Sequence, residues 1–219
     1  MVSRRVHNVS PTEPGCHRRI SDALQAAESG AIINVFPGEY NEALYLSVPV
    51  TVTARDGRGS VRVATTGDCS VLMATEAATL SGLVLTHRDE RRAAVDVGVG
   101  RLRLDECEIR AESPAAVFVR EGALLVMNDC KVNNKTGAGV VATDNAGGTV
   151  ERCVIERVGT SAVVLRSGAD VVFRECTISE AQGNGVCGTD GARGEIQGCD
   201  ISRTGGPAVA PENGLEVGM

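Results

Sequence analysis

The side chains with the most chemical potential in this 219-residue chain are its eight cysteines. Five of them recur every 23 residues, at Cys107, Cys130, Cys153, Cys176 and Cys199. A zinc site needs four ligands that converge as a tetrahedron, whereas one cysteine per repeat gives a single file spaced about 5 Å apart. The chain also has no CxxC pair. Because buried cysteine behaves as a small hydrophobe, the spacing predicts reduced structural thiols and no metal site.

Cys187 lies outside this file. It falls between Val186 and Gly188, so the alternation of a strand predicts that its side chain faces outward. A catalytic thiol needs a base such as histidine to activate it. All three histidines lie within the first 87 residues, and none follows Cys187. The sequence therefore predicts that Cys187 is not a nucleophile.

Acid–base catalysis is the second chemistry to weigh. Sugar-cleaving enzymes need paired carboxylates, or carboxylates with a cationic base, in a cleft. Glu151 and Arg174 lie one repeat apart, and Asp105 lies two repeats before Glu151. Such a pair on an exposed sheet is commonly an ordinary ion pair. The chain also lacks the tryptophan platforms of sugar clefts, because it has no Trp.

The 23-residue repeat itself predicts the elements that position these residues. Each cysteine of the file has an apolar residue three positions before it and another two positions after it. A valine precedes the last four cysteines by 13 residues, and a turn of small residues precedes each valine. A repeat kept in step stacks equivalent residues at the strand spacing of about 4.8 Å. The pattern predicts an all-β, single-stranded right-handed parallel β-helix with coils of about 23 residues.

The repeat fades toward the N-terminus, and it predicts about eight coils, the first strand beginning at residue 31. Residues 18–29 show helical spacing of apolar side chains and predict a short amphipathic helix that caps the N-terminal end of the stack. The helical stripe consists of Ile20, Ala23, Leu24 and Ala27. We expect residues 1–30 to form an N-terminal segment with this capping helix, and residues 31–219 to form the β-helix.

The outward positions of the repeat separate into polar and apolar columns. The columns beside the cysteines are polar, but the position after the inward valine is apolar apart from one aspartate. That column reads Leu72, Asp96, Phe118, Val141, Val164, Cys187 and Ala210. An apolar strip roughly 20–25 Å long is a candidate contact surface, although β-propensity alone also favours such residues in strands. The candidate interface residues are Leu72, Phe118, Val141, Val164 and Cys187.

A polar border follows the apolar column at the next turn of each coil. Its candidate binding residues are Arg120, Asp144, Arg166 and Asp190. A small molecule or peptide would bind where the two columns meet. Polar residues are also ordinary in turns, so a purely structural role for this border stays open.

Composition excludes several classes of partner. The net charge is −6, and no basic stripe stands out to neutralise nucleic-acid phosphates. No apolar run approaches the length of a membrane span, and no secretion signal is visible. We expect a cytoplasmic protein that binds neither nucleic acid nor membrane and needs no cofactor.

Two motifs carry a resemblance to known families. The segment from Ile20 to Leu46, with its Pro37-Gly-Glu-Tyr40 turn, resembles the opening of pectate-lyase-like β-helix proteins. The repeats resemble the parallel β-helix repeat family, most closely at 183–186 and 175–178. This resemblance implies the fold more than an activity, because the fold hosts lyases, hydrolases, epimerases, adhesins and binding scaffolds.

The chain is also similar to actinobacterial cytosolic β-helix proteins, some of which carry an AAA+ ATPase domain. No phosphate-binding Gly-x-x-x-x-Gly-Lys-[Ser/Thr] motif occurs here, so the resemblance implies an AAA+ ATPase as a separate partner. The predicted function is a non-catalytic scaffold that binds a protein partner or a second copy of itself. The alternative is an enzyme of lyase, epimerase, hydrolase or cyclase type, acting on a carbohydrate or natural-product intermediate at an outer face.

Overall fold

The computed structural model describes residues 5–211 and 215–218. Over these residues the chain forms a right-handed parallel solenoid of about nine turns, with one short helix near its start. Three parallel sheets run along the solenoid, here called sheets A, B and C, and elements are numbered in chain order. The predicted all-β fold is confirmed.

Each sheet takes one strand from each successive coil. Helix α1 spans Ile20–Ala26. Sheet A contains β1 (Val6–Val9), β2 (Ala31–Val35), β5 (Val50–Ala54), β8 (Ala77–Ser81), β11 (Arg101–Asp105), β14 (Leu124–Asn128), β17 (Gly147–Glu151), β20 (Asp170–Arg174), β23 (Arg193–Gln197) and β26 (Leu215–Gly218). Sheet B contains β3 (Gly38–Tyr40), β6 (Val61–Thr66), β9 (Leu83–Arg88), β12 (Glu108–Glu112), β15 (Lys131–Asn134), β18 (Val154–Val158), β21 (Thr177–Ala181) and β24 (Asp200–Ser202). Sheet C contains β4 (Leu44–Leu46), β7 (Val71–Met73), β10 (Val95–Val97), β13 (Ala115–Val119), β16 (Ala138–Ala142), β19 (Val163–Leu165), β22 (Val186–Gly188) and β25 (Val209–Pro211).

From β11 to β25, neighbouring coils pair at the 23-residue offset that the cysteines predict, apart from a one-residue shift between β15 and β18. In sheet A, for example, Asp105 pairs with Asn128 and Asn128 pairs with Glu151. The predicted inward positions are buried in four successive coils and form one continuous core. They are Leu104, Cys107, Ile109, Met127, Cys130, Val132, Val150, Cys153, Ile155, Phe173, Cys176 and Ile178. In the fifth coil, Cys199 and Ile201 are only half-buried.

The corner between sheets A and B places a residue in the left-handed conformation directly before each cysteine. These residues, with φ between 49° and 58°, are Glu106, Asp129, Arg152, Glu175 and Gly198. Non-glycine residues adopt this conformation at a cost, so the surrounding coils must hold it. They do so through backbone hydrogen bonds, such as the Asp129 N–H donating to the Glu151 carbonyl at 3.1 Å. The next residue is thereby turned inward, and that residue is the cysteine.

The five cysteines form a vertical file of free thiols at this corner. The Cys130 thiol donates to the Leu104 carbonyl of the preceding coil at 3.3 Å, and the Cys130 backbone N–H donates to the Cys153 sulfur at 3.4 Å. Hydrogen bonding to the Cys130 thiol, together with burial, raises the pKa of Cys153 to about 12. Hydrogen bonding to the Cys153 thiol, together with burial, raises the pKa of Cys176 to about 11. The prediction of buried, unlinked thiols is confirmed for Cys107, Cys130, Cys153 and Cys176, whereas Cys199 is unlinked but only half-buried.

The N-terminal part differs from the prediction in two ways. Strand β1 pairs with β2 and extends sheet A before the helix, so residue 31 does not begin the first strand. The prediction of about eight coils is accordingly one short of the observed number. The strand was missed because its four residues lie outside any 23-residue frame. Helix α1 spans fewer residues than the predicted 18–29. Within the described residues, no helix is long and apolar enough to cross a membrane.

Glu42 anchors the start of helix α1 from the neighbouring coil. Its buried carboxylate accepts hydrogen bonds from the backbone N–H groups of Ile20 at 2.9 Å and Ser21 at 2.8 Å. These N–H groups have no partner inside the helix, so the carboxylate satisfies donors that would otherwise be unpaired in the core. Ile20 and Leu24 are themselves buried and pack into the core beside strands β1, β2 and β4.

Glu42→Gln should lower the free energy of unfolding by about 1–3 kcal/mol, because the buried N–H groups lose a charged acceptor. Glu39→Gln is the matched control, since the Glu39 side chain is 76% exposed and lies 3.8 Å from Arg62. Urea denaturation of the two variants measures the difference. Equal losses in both would contradict the anchoring role.

The buried thiols of the file should resist alkylation in the native state, because burial keeps the reagent away from all of them and the raised pKa values of Cys130, Cys153 and Cys176 suppress their reactive thiolates. With iodoacetamide at pH 8, Cys107, Cys130, Cys153 and Cys176 should react at least about 100-fold more slowly than the half-exposed Cys187. Peptide mass spectrometry reads each site. Labelling of the file at the rate of Cys187 would show that the sulfurs do not face inward.

Candidate functional site

The outward apolar column predicted from the sequence lies on sheet C in one continuous register. Leu72, Asp96, Phe118, Val141, Val164, Cys187 and Ala210 pair in that order across successive coils. Tyr45 also belongs to the column, because it pairs with Leu72, and its side chain is 55% exposed. Sequence reasoning missed Tyr45 because 27 residues separate it from Leu72. The alternating Leu44-Tyr45-Leu46 triplet was the available signal.

A second column of small apolar residues lies beside the first at its centre, although Ala115 and Ala138 are themselves buried. Ala93, Ala115 and Ala138 pack with Phe118, Val141 and Val164 into a hydrophobic cluster outside the solenoid core, here called the outer cluster. Val141 is only 6% exposed, so its neighbours largely cover it. Phe118, Val164 and Cys187 are half-exposed and present the apolar surface to solvent. The alanines were missed because alanine carries little signal in a search for large apolar residues.

The one charged member of the column, Asp96, is neutralised from the next coil. The Nε of Arg120 donates to an Asp96 carboxylate oxygen at 3.3 Å, and the two side chains are 32% and 19% exposed. Arg120 also pairs with Glu121. Its guanidinium lies across the backbone of Gly98, where an added Cβ would come within 3.0 Å of Nη2. Because Gly98 has no Cβ, it leaves space for the Arg120 guanidinium that pairs with Asp96 in the column.

The predicted polar border lies at the turns between sheets C and A. Asp144, Arg166 and Asp190 are exposed, whereas Arg120 is half-buried by the contacts above. Asp144 and Asp190 have φ values of 54° and 53°, a conformation that aspartate tolerates in turns better than most residues. Among the described residues, neither Asp144 nor Arg166 forms an ion pair within 4.0 Å. Asp144 and Arg166 therefore present charges of opposite sign beside the outer cluster, whereas the charge of Arg120 is already matched by Asp96 and Glu121.

The acid–base candidates lie on sheet A and do not converge. Asp105 takes a 2.6 Å hydrogen bond from Arg103, and Glu151 takes one of the same length from Arg152. Arg174 pairs in register with Glu151, but its Nε donates to the Gln197 amide oxygen at 2.7 Å. These side chains line or border a shallow depression of about 610 Å3. Asp105 is matched by Arg103, and Glu151 shares Arg152 with Asp129, so the two candidate carboxylates are already ion-paired.

A buried polar network was not predicted from the sequence. His87 and Thr65 pair across sheet B, and their side chains meet at the corner toward sheet C, where the Thr65 hydroxyl lies 3.0 Å from the His87 Nδ1. The Thr65 hydroxyl also lies 2.7 Å from the Ser70 hydroxyl, and Nε2 of His87 lies 3.2 Å from the Arg92 carbonyl. That carbonyl can only accept, so Nε2 carries the proton and Nδ1 accepts from Thr65. His87 and Ser70 are fully buried, which makes the network a satisfied corner of the core.

Within the described part of the chain, no group of three His, Cys, Asp or Glu side chains could hold a metal ion. His7 and His17 come closest, with ring nitrogens 3.3 Å apart, but they have no third ligand of these types. The outer face of sheet C, with its apolar column and the outer cluster, is the candidate site that the sequence predicts.

Acid should unfold the protein partly through His87. Burial lowers the pKa of His87 below its ordinary value, so the unfolded state binds the proton more readily than the folded state. Stability from this residue is complete above about pH 6.5 and is lost as the pH falls, by up to about 1.4 kcal/mol per pH unit. Denaturation of the wild type and His87→Gln between pH 5 and 8 should give a shallower pH slope for the variant. Identical slopes would contradict the assignment.

Comparisons with known proteins identify the same right-handed β-helix architecture. The family described as "Right handed beta helix region" matches residues 68–217. Among curated proteins, no sequence matches the chain. Among solved structures, a pectin methylesterase from Aspergillus niger superposes with a TM-score of 0.59 at 15% identity, covering 94% of this chain and 87% of that one.

Two further solved structures have the same fold. The pectin methylesterase PemA from Erwinia chrysanthemi gives a TM-score of 0.60 at 10% identity, covering 100% of this chain and 94% of that one. The pectate lyase Pel9A gives 0.55 at 10% identity, covering 94% and 79%. At such identities the likeness concerns the fold alone. The match over residues 68–217 places this chain in the right-handed β-helix family.

Proposed function

We propose that this chain is a non-catalytic β-helical scaffold that binds a protein partner through the outer face of sheet C. The observation that carries the proposal is the outer cluster, an apolar group outside the core. The outward positions of the other two sheets mix single apolar residues, such as Val126 and Val172, with ion pairs such as Arg103–Asp105 on sheet A and Lys131–Glu156 on sheet B. A contiguous apolar patch bordered by charges is typical of a protein-binding surface.

An AAA+ ATPase is the partner class that we favour, and the cytoplasm is the proposed location. The resemblance to actinobacterial β-helix proteins supports an AAA+ ATPase as partner. The eight free cysteines support a cytoplasmic location, since thiols stay reduced in that compartment.

The alternative is an enzyme that acts on a carbohydrate or natural-product intermediate at an outer face. Its support is that proteins of the same fold include the pectin methylesterases and pectate lyase named above. The arginine-matched carboxylates of sheet A weigh against it, because catalysis needs a free acid or base in reach of substrate. Turnover lost in Asp105→Ala or Glu151→Ala would favour this alternative.

Helix α1 is proposed to cap the N-terminal end of the solenoid. Its buried residues Ile20, Ala23 and Leu24 pack into the core beside the first strands of sheets A and C. A covered end would keep the first strands from pairing with another molecule, which is the usual hazard of an open sheet.

Phe118→Asp combined with Val164→Asp should abolish partner binding and leave the fold intact, because both side chains are half-exposed on the outer face. The matched control is Val126→Asp with Val172→Asp, two half-exposed residues two coils apart on sheet A. Capture of a purified candidate ATPase, followed by light scattering, measures binding. Equal binding by the two double variants would remove the proposal, provided that circular dichroism shows both folded.

A further inference from the structure

Two histidine side chains meet at the N-terminal end of the solenoid. His7 lies on strand β1 and pairs in register with Ile33 of β2, so the two side chains face the same side of sheet A. Ile33 is fully buried in the core, and His7 is buried beside it. Nδ1 of His7 lies 3.3 Å from Nε2 of His17, which belongs to the loop before helix α1. A titratable ring therefore occupies a core-facing position at the end of the stack.

The backbone of His17 holds strand β1 from the side opposite to β2. The His17 N–H donates to the Asn8 carbonyl at 2.9 Å, and the Ser10 N–H donates to the His17 carbonyl at 2.9 Å. The other edge of β1 pairs with β2. Strand β1 is thus held between β2 and the loop, and the contact between the two imidazoles joins the strand to the same loop.

The hydrogen bonds of His7 determine which of its nitrogens carries the proton. Nε2 of His7 is buried and has no hydrogen-bond partner among the described residues. Buried N–H groups are almost always paired, so this nitrogen is the one without a proton. His7 therefore carries its proton on Nδ1 and donates it to Nε2 of His17. The bond forms only while Nε2 of His17 is unprotonated, because a protonated nitrogen cannot accept.

An additional proton has no satisfied position in this pair. On Nε2 of His17 it removes the acceptor, and the proton of His7 must then move to the buried Nε2, where no acceptor lies. On Nε2 of His7 it creates a charged ring at the end of the core, and a buried charge without a partner is costly. Either proton is accommodated better when strand β1 and the loop separate.

We infer from this geometry that β1 and residues 10–17 form an acid-released latch, here called the N-terminal latch. Strand β1 stays docked on β2 at neutral pH and separates from it below about pH 6, while the later coils remain folded. The separation frees the backbone edge of β2, and an exposed strand edge can pair with another chain. Because β1 belongs to sheet A, the latch is independent of the outer face of sheet C.

The groups that surround His7 also disfavour a positive charge on its ring. Burial lowers the pKa of His7 below its ordinary value, and repulsion from His17 and Arg5 lowers it further. Glu28 acts in the opposite direction, but it is already paired with Arg5 at 3.0 Å. Strand β2 carries no titratable side chain. The other titratable groups of the loop and of helix α1 are exposed or half-exposed, and they are Glu13, Cys16, Arg18, Arg19 and Asp22.

The sign of the pH dependence follows from the lowered pKa of His7. The separated strand has the ordinary histidine pKa of about 6.5, so it binds the proton more readily than the docked strand. Docking is therefore fully favoured above about pH 6.5 and is weakened as the pH falls below that value.

Hydrogen exchange read by mass spectrometry at pH 7.5 and 5.5, corrected for intrinsic exchange rates, measures the opening of β1. In the wild type, the opening constant of the peptide that contains Val6–Val9 should rise at least about fivefold at the lower pH. His7→Leu keeps an apolar side chain toward the core and removes the titrating ring, so its rise should stay below about twofold. His87→Gln is the matched control, because it removes the other buried histidine and should keep the wild-type rise at β1. Strand β14 reports global unfolding in the same samples.

Equal opening of β1 at the two pH values would overturn the N-terminal latch, and so would a rise in His7→Leu as large as that of the wild type. A rise at β14 that matches the one at β1 would show that acid unfolds the whole solenoid, which also contradicts a local release. If His7→Leu does not fold, His17→Gln takes its place, since its amide does not titrate. Its rise must then be smaller than that of the wild type.

Discussion

The structure depends on one constraint, the parallel hydrogen bonding of each coil to the next in a nearly constant register, which shifts by one residue between β15 and β18. Backbone bonds such as Val140 N–H to the Ala162 carbonyl, at 2.9 Å, recur from coil to coil. Because the offset is 23 residues from β11 to β25, each position in the repeat forms a column along that part of the solenoid. A residue that faces inward in one coil therefore faces inward in all of them, and a one-residue slip would invert the whole arrangement.

This constraint explains both the interior and the surface. Inside, the left-handed residue at each corner turns a cysteine into the core, where a small side chain fits and its thiol finds a carbonyl of the preceding coil. Outside, columns of arginine and carboxylate residues on sheets A and B neutralise one another. Sheet C has an apolar column instead, and its only charge is matched by Arg120. The repeat therefore determines the surface as well as the core, because equivalent outward residues line up in columns and the column on sheet C is apolar.

Sequence reasoning succeeded where the repeat is regular and failed where it is not. The cysteine frame predicted the core of the last coils, because equal spacing maps directly onto stacking. Strand β1, Tyr45 and the Glu42 anchor were missed because the first coils vary in length, so spacing no longer locates a partner. The almost complete burial of Val141 could not be predicted from the sequence for another reason. It depends on how Phe118 and Val164 pack around it, and side-chain packing is not encoded in a periodic pattern.

The central claim is that the outer cluster is a surface that another protein covers. Hydroxyl-radical footprinting of Phe118 and Cys187, read by mass spectrometry in dilute and in concentrated or partner-bound samples, tests it most directly. The account predicts that oxidation of both side chains falls on association, while oxidation of the half-exposed Leu124 on sheet A does not change. Constant oxidation of Phe118 under conditions where the protein is associated, or equal protection of Leu124, would contradict it.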